Sequence, residues 1–525
     1  MRPTRFLWVA WLMLGCGAAI AQSQEMDTSL VRVDEVAFAT SYEEEQFAKV
    51  LKDEGAIFEL LMTVQSDMTP NNIGADRTML SHEISKLKTV PKLTGKKKTK
   101  YYKDIYDRVH NRFLEKYELE NYFSSIFTLG EYNCVSACAL YGLVFEELEI
   151  SFVIKETPTH VYLLIDPNDD PFVIETTDPV GGISKFSTKF KTHFVNQLKA
   201  SKLISEEEAR YQEVDALFDK YYFTDQNLGM KELVGVQYWN QGLYLLEDED
   251  YHEAYTAFQK SYLLFPNEKV RDLLLGSLSY LVSQVTYSRY DESDYIIQLA
   301  RFDSVKVSNQ DVSNEFLRLN QKQLIDRGDV DLYTKSYTHL IEGLERASLR
   351  EQITYYYNYE MARTRFNKGQ SKLALEYSLA AYALKPTNID AEGLVLSSLG
   401  RLLQYETDYK YSYNLIDSVA LKYSTLMDNA NFGNIYLNIN LIRMEEYYRM
   451  SKRGDGDYHK DKFEQAISQY PNFRADPNLI GRAYSQLAVF HFRQGSYSAA
   501  KSALRTGLNY APNNVELTNR LRAMR

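Results

Sequence analysis

The chain has few of the residues that hold small scaffolds together covalently. It carries three cysteines in 525 residues, too few for a disulfide framework and one short of a four-thiolate zinc site. Glycine (24) and proline (12) are scarce, which excludes collagen-like and low-complexity classes and favours helix. Positive charge is not in excess. Against 60 Lys and Arg stand 71 Asp and Glu, a formal net charge of −11, so non-specific nucleic-acid binding has no electrostatic drive. No HExxH, CxxC, Walker or GxGxxG pattern occurs with supporting context, and neither a metal nor a nucleotide cofactor is expected. His82, His110, His193, His252, His339, His459 and His491 have no convergent partners in the sequence. After the N-terminal segment no run of about 18 apolar residues occurs, so no transmembrane segment is expected in the mature chain.

What remains is ordinary globular material, 45% hydrophobic and 25% charged. At roughly 150 residues per domain the length suggests three or four domain-sized units, or fewer if one region is a repeat array. The N-terminus reads as a targeting segment. Arg2 and Arg5 precede an unbroken apolar stretch from Phe6 to Leu14, and Ala19-Ile20-Ala21 supplies small residues at a cleavage site. Residues 1–21 are expected to be a cleaved signal peptide, making the protein exported, periplasmic or secreted. The rival is a lipoprotein signal anchored through Cys16. It is disfavoured because Met13 stands where leucine is usual in a lipobox.

The pattern changes near residue 225. Residues 22–75 read as a helical lead-in, with Phe47, Val50, Leu51, Ile57, Leu60 and Leu61 at helical spacing between Tyr42 and Val64. Lys88–Lys103 is Lys-rich and reads as a solvated loop, the alternative being a binding patch. Residues 104–118 return to helix through Ile105, Val109, Phe113 and Leu114. After Gly130, a helix over 134–148 is followed by three β-type runs, Ile150–Ile154, His160–Ile165 and Phe172–Thr176, punctuated by turn residues. Residues 76–225 are therefore expected to form an α+β domain.

From residue 226 to 525 the β signal stops, and three segments share one spacing. The clearest copies span 235–268, 355–388 and 481–514. Tyr238, Gly242, Tyr251, Ala254, Phe258 and Pro266 mark the first copy. Ala362, Gly369, Ala374, Ala381 and Pro386 mark the second. Tyr484, Leu487, Ala488, Gly495, Tyr497, Ala500, Leu504 and Pro512 mark the third. Ala254 to Pro266, Ala374 to Pro386 and Ala500 to Pro512 are each twelve residues apart. Small residues let two antiparallel helices approach, aromatics fill the gap, and proline ends the second helix. These segments resemble tetratricopeptide (TPR) repeats. The resemblance implies an all-α solenoid whose groove holds a protein or peptide partner. Residues 270–350 and 390–475 read as degenerate repeats. Tyr355, Tyr356, Tyr357, Tyr359, Tyr447 and Tyr448 are expected to pack between helices rather than line the groove.

Candidate chemistry gathers before residue 180. Asn133 is a plausible N-cap, and it places Cys134 in the first turn of a helix. There the macrodipole favours a thiolate, a competent nucleophile without metal. His160 follows twenty-six residues later as a candidate base. Glu175, fifteen residues further on the next β-run, is a candidate orienting acid. Asp178 is a second candidate acid. Cys138, one helical turn after Cys134, reads as a small core residue rather than a redox partner.

Cys134-Val135-Ser136-Ala137-Cys138-Ala139-Leu140-Tyr141, Thr157-Pro158-Thr159-His160-Val161-Tyr162 and Phe172-Val173-Ile174-Glu175-Thr176-Thr177-Asp178-Pro179 resemble, in this order, the three motifs of the transglutaminase-like superfamily. The resemblance spans about residues 100–185. It implies a papain-like core in which Cys134 is the nucleophile, His160 the general base and Glu175 the orienting carboxylate. Two departures stand out: Glu175 where aspartate is commoner, and Glu149 where glycine is usual. The expected function is an exported cysteine-dependent amide hydrolase or acyltransferase with a TPR partner-binding array. The alternative is a non-catalytic envelope scaffold that holds partners through the repeats.

Overall fold

The computed structural model describes residues 28–65, 67–157, 160–169, 171–177, 182–184, 188–200, 204–222 and 227–524. The expected signal peptide 1–21, the alternative anchor Cys16 and the alternative acid Asp178 lie outside them. The described residues are mostly helical, with a small sheet. None of their helices is long and apolar enough to cross a membrane.

The chain divides into two compact units. One comprises residues up to 286 together with 295–307, and the other comprises 287–294 together with 308–525. This division lies well beyond the change of pattern at 225. The reason is a buried network that ties the first repeat hairpin, Met230–Glu247 and Tyr251–Leu264, to the N-terminal residues. Lys260 Nζ donates to Glu43 Oε1 at 2.7 Å, with both side chains almost fully buried. The Tyr238 hydroxyl donates to the same oxygen at 2.9 Å, and Gln241 Nε2 to the Val64 carbonyl at 2.7 Å. Sequence periodicity marks the change from strand to helix and carries no trace of the side chains that bridge it.

The lead-in is three helices, Ser41–Leu51, Ile57–Thr63 and Pro70–Leu87. The single run read between Tyr42 and Val64 is broken because Asp53, Gly55 and Ala56 all take positive φ. Pro70–Leu87 starts on proline, where the missing N–H costs nothing, and it runs across the expected boundary at residue 76. The lysine-rich stretch is also not all loop. Lys98–Phe113 is helical. Lys98 Nζ donates to Asp166 Oδ2 and Asp169 Oδ2 at 3.1 and 3.0 Å, and Lys88 Nζ donates to Glu147 at 2.8 Å. That helix stops at Phe113, short of 118, because Leu114 turns extended.

Lys116–Tyr117 then forms β1, which pairs in parallel with β2, Glu131–Tyr132. The Cys134–Glu147 helix follows, and then β3 (Phe152–Thr157), β4 (His160–Ile165), β5 (Phe172–Ile174) and β6 (Ile183–Ser184). β3 begins two residues later than Ile150 because Glu149 takes φ 55°, a left-handed turn conformation. β7, Asn227–Leu228, adds an edge to β3, so extended structure reaches just past residue 225. The sheet order is β6-β5-β4-β3-β7, antiparallel throughout. One face carries Tyr162, Leu164 and Val173 against Phe194, Val195, Leu198 and Phe218 of the helices that follow. The Cys134–Glu147 helix packs on β4.

Among its described residues the second unit is helical apart from turns and loops. Ala347–Asn367 packs on Ser371–Leu384 and on Ile389–Leu403. Ala430–Arg449 packs likewise on Arg453–Gln469 and Pro477–Arg493. A helix that touches both its successor and the next but one belongs to a stacked array, and this all-α part is compatible with a solenoid. One apolar cluster runs from Tyr355 to Leu517.

Each of the three spaced segments is a helix hairpin, and Pro266, Pro386 and Pro512 lie just past the ends of second helices at Leu264, Leu384 and Tyr510. A Cβ on Gly242 would stand 2.5 Å from the Phe258 ring, and one on Gly507 would stand 2.7 Å from Tyr484 Cβ. Tyr355, Tyr357 and Tyr448 are buried, and Tyr356, Tyr359 and Tyr447 are partly buried. His459 is buried with its Nδ1–H on Asn440 Oδ1 at 3.0 Å and its ring stacked on Tyr447.

Candidate active site

The first unit brings Cys134, His160 and Glu175 together. Each is set by a different element. Cys134 opens the Cys134–Glu147 helix, whose interior is almost wholly buried. Asn133, extended at φ −122° and ψ −174°, caps it. Its Oδ1 accepts from Ser136 N at 2.9 Å, and its own N–H donates to Ser136 Oγ at 2.9 Å. The first turn holds no carboxylate, so nothing there opposes the positive end of the helix. Cys134 is partly exposed and unbridged.

His160 is the first residue of β4, and Glu175 directly follows β5. The ladder pairs Leu163 with Ile174. Continued by one step, it sets Glu175 opposite Tyr162, diagonal to His160 and on the same face. The contact follows from that register: His160 Nε2 lies 2.8 and 3.0 Å from the two carboxylate oxygens of Glu175. With Nε2 turned to the acid, Nδ1 is the ring nitrogen left to hydrogen-bond with Cys134.

The electrostatics follow from this geometry. Burial opposes a charge on His160, but hydrogen bonds with Cys134 and Glu175, and their negative charges, outweigh it. The imidazole is raised to about 10. Burial also opposes the charge on Glu175, but His160 and Thr177 outweigh it and hold the carboxyl below its usual range. His160 and Glu175 expose 18% and 29% of their side chains, enough for solvent to reach the site and too little to screen it heavily.

Several further contacts hold these three, and apart from the Asn133 cap the sequence did not mark them. Thr177 Oγ1 donates to Glu175 Oε1 at 2.7 Å. The Tyr106 hydroxyl donates to the Glu175 carbonyl at 3.1 Å, and its ring stacks on Tyr141 of the Cys134–Glu147 helix at 5.2 Å and 4°. Asn133 Nδ2 donates to the Leu119 and Asn121 carbonyls at 3.2 and 3.3 Å. The Tyr244 hydroxyl, from the first repeat hairpin, donates to the Leu119 carbonyl at 3.1 Å. These are loop and inter-element contacts with no periodic signature. The only local signal was Thr177, two residues from Glu175, where a hydroxyl can reach the neighbouring carboxylate.

Cys138 stands apart from this group. It is fully buried, its thiol donates to the Val161 carbonyl at 3.4 Å, and burial pushes that thiol well up. Among the described residues no group of three or more His, Cys, Asp or Glu side chains gathers as a metal-binding set. No family model matches the chain, and no curated protein matches it.

Proposed function

We propose that the protein is a transglutaminase-like cysteine hydrolase whose thiol forms a thioester with an amide substrate. The observation that carries this reading is the hydrogen-bonded row of Cys134, His160 and Glu175 at the mouth of a capped, buried helix. A structural thiol has no use for an imidazole held charged beside it. In the first step the Cys134 sulfur bonds to the carbonyl carbon and the π pair moves onto oxygen. As the tetrahedral species collapses, the C–N bond breaks and the His160 proton passes to the departing nitrogen. Water gives a proton to the now neutral His160 and bonds to the thioester carbon; as this second tetrahedral species collapses, the C–S bond breaks, its pair stays on the Cys134 sulfur, and the acid leaves. Glu175 holds the imidazole and offsets its charge throughout. An amine in place of water would make the same site an acyltransferase. The stacked hairpins after residue 226 suit a TPR-like array that presents a protein or peptide partner, and the N-terminal segment suits export.

The test is the pH dependence of Cys134 alkylation by iodoacetamide in a Cys138→Ser background, with and without His160→Ala. The reading expects Cys134 to react well below the roughly 8.5 of a free thiol, and the profile to move up when His160 is removed. A profile at the free-thiol position, unchanged by His160→Ala, would leave the domain as a binding module beside the repeats.

A further inference from the structure

Cleavage through a tetrahedral species needs donors for the oxygen that becomes charged. The Cys134 backbone N–H, at the first position of its helix, has no partner among the described residues and is one such donor. The question is what supplies a second.

The short parallel ladder before Cys134 points to an answer. β1 and β2 pair Tyr117 with Tyr132, and the Glu118 N–H donates to the Tyr132 carbonyl at 2.9 Å. Paired residues in a sheet share a face, and residues two apart along an extended chain share one too. Tyr132, extended Asn133 and Cys134 follow in sequence, so the Tyr117 side chain lies on the Cys134 side of the ladder. The Tyr117 ring meets Tyr132 edge-on at 5.9 Å and 84°, which fixes its direction. The side chain is 45% exposed, and its hydroxyl makes no hydrogen bond among the described residues. Burial, followed by the nearby Cys134 and Glu175, pushes its phenol up. The hydroxyl therefore stays protonated, as a donor must, and it lies within electrostatic reach of both the nucleophile and the acid.

We propose that the Tyr117 hydroxyl is the second oxyanion donor, hydrogen-bonding to the substrate oxygen as the Cys134 sulfur attacks. This rests on the hydrolase reading above, and the experiment separates the two. Full-length Cys138→Ser protein and the same protein carrying Tyr117→Phe are each treated with p-nitrophenyl acetate and with iodoacetamide. In acylation the sulfur bonds to the carbonyl carbon and the π pair moves onto oxygen. The carbonyl then re-forms as p-nitrophenolate leaves with the C–O pair. In alkylation the C–S bond forms as iodide leaves, and no charge develops on oxygen. Loss of one donor in such a hole costs on the order of a hundredfold or more. Tyr117→Phe is therefore expected to slow acylation at least about tenfold and to leave the alkylation rate and its pH profile unchanged. Unchanged acylation would overturn the proposal. An equal fall in both reactions would also overturn it, because Tyr117 would then act on the resting thiolate. A Cys134 that reacts with neither reagent would overturn the hydrolase reading and this inference with it.

Discussion

Replacing Glu175 by glutamine removes one negative charge and little else. The amide oxygen can still accept from His160 Nε2, now 2.8 Å from Oε1, and from Thr177 Oγ1 at 2.7 Å. The lost quantity is the difference between a charge-assisted and a neutral hydrogen bond. A net value of about 1.5–3 kcal/mol against about 1 kcal/mol for a neutral bond leaves a deficit of roughly 0.5–2 kcal/mol. One pKa unit corresponds to about 1.4 kcal/mol, so His160, held at about 10, should lose its charge about one unit lower. Surface screening does not erase this, because both side chains are less than a third exposed. The titration of His160, followed by NMR of ring-labelled histidine in the Cys138→Ser background, should therefore move down by about one pH unit. A titration that overlays the parent would refute the reasoning, since the charge on Glu175 would then not be what holds the imidazolium.

Other consequences can be read from buried charges. Lys260→Met strands Glu43, which is 3% exposed, without its cation, and should cost about 3–5 kcal/mol. Trp239 lies in the same hairpin and is the one tryptophan after the N-terminal segment that holds Trp8 and Trp11. Urea unfolding followed by its fluorescence should show the loss, and adding Glu43→Gln should recover part of it. In the second unit, burial, with Arg443 nearby, pushes His459 down to about 4. Its folded pKa lies below the roughly 6.5 of an unfolded chain. The unfolded state therefore takes up the proton first, and stability should fall as pH drops from about 6.5 to about 4. His459→Gln should flatten that part of the pH–Tm curve, and an unchanged slope would place the acid sensitivity elsewhere.

Much of the arrangement around Cys134 was legible because it is local. Asn133 before Cys134 could be read as a cap, and Cys138 as a core thiol, from one turn of helix. The pairing of His160 with Glu175 could be read because two β-runs joined by a turn-rich segment have few registers that bury both. The three hairpins showed themselves through small residues and a proline at fixed offsets, since close helix approach tolerates little else. What escaped had no period. The two-residue ladder of Lys116–Tyr117 on Glu131–Tyr132 is too short to alternate, and helical spacing was carried four residues past Leu114, to 118, in its place. The boundary at 225 missed both the edge strand Asn227–Leu228 just beyond it and the Glu43–Lys260 pair, whose members are 217 positions apart. Tyr106 and Tyr244 reach the site from helices whose apolar pattern reports only that they are amphipathic.

The central claim is that His160 is held charged by Cys134 and Glu175, and an NMR titration of ring-labelled histidine reads it directly. The signal assigned by comparison with His160→Gln should remain that of an imidazolium until about pH 10. It should fall back towards the ordinary value, near about 6.5, in a Cys134→Ala, Glu175→Gln double variant. A wild-type His160 that titrates near 6.5 would contradict the account: the three side chains would then be neighbours without being a catalytic unit.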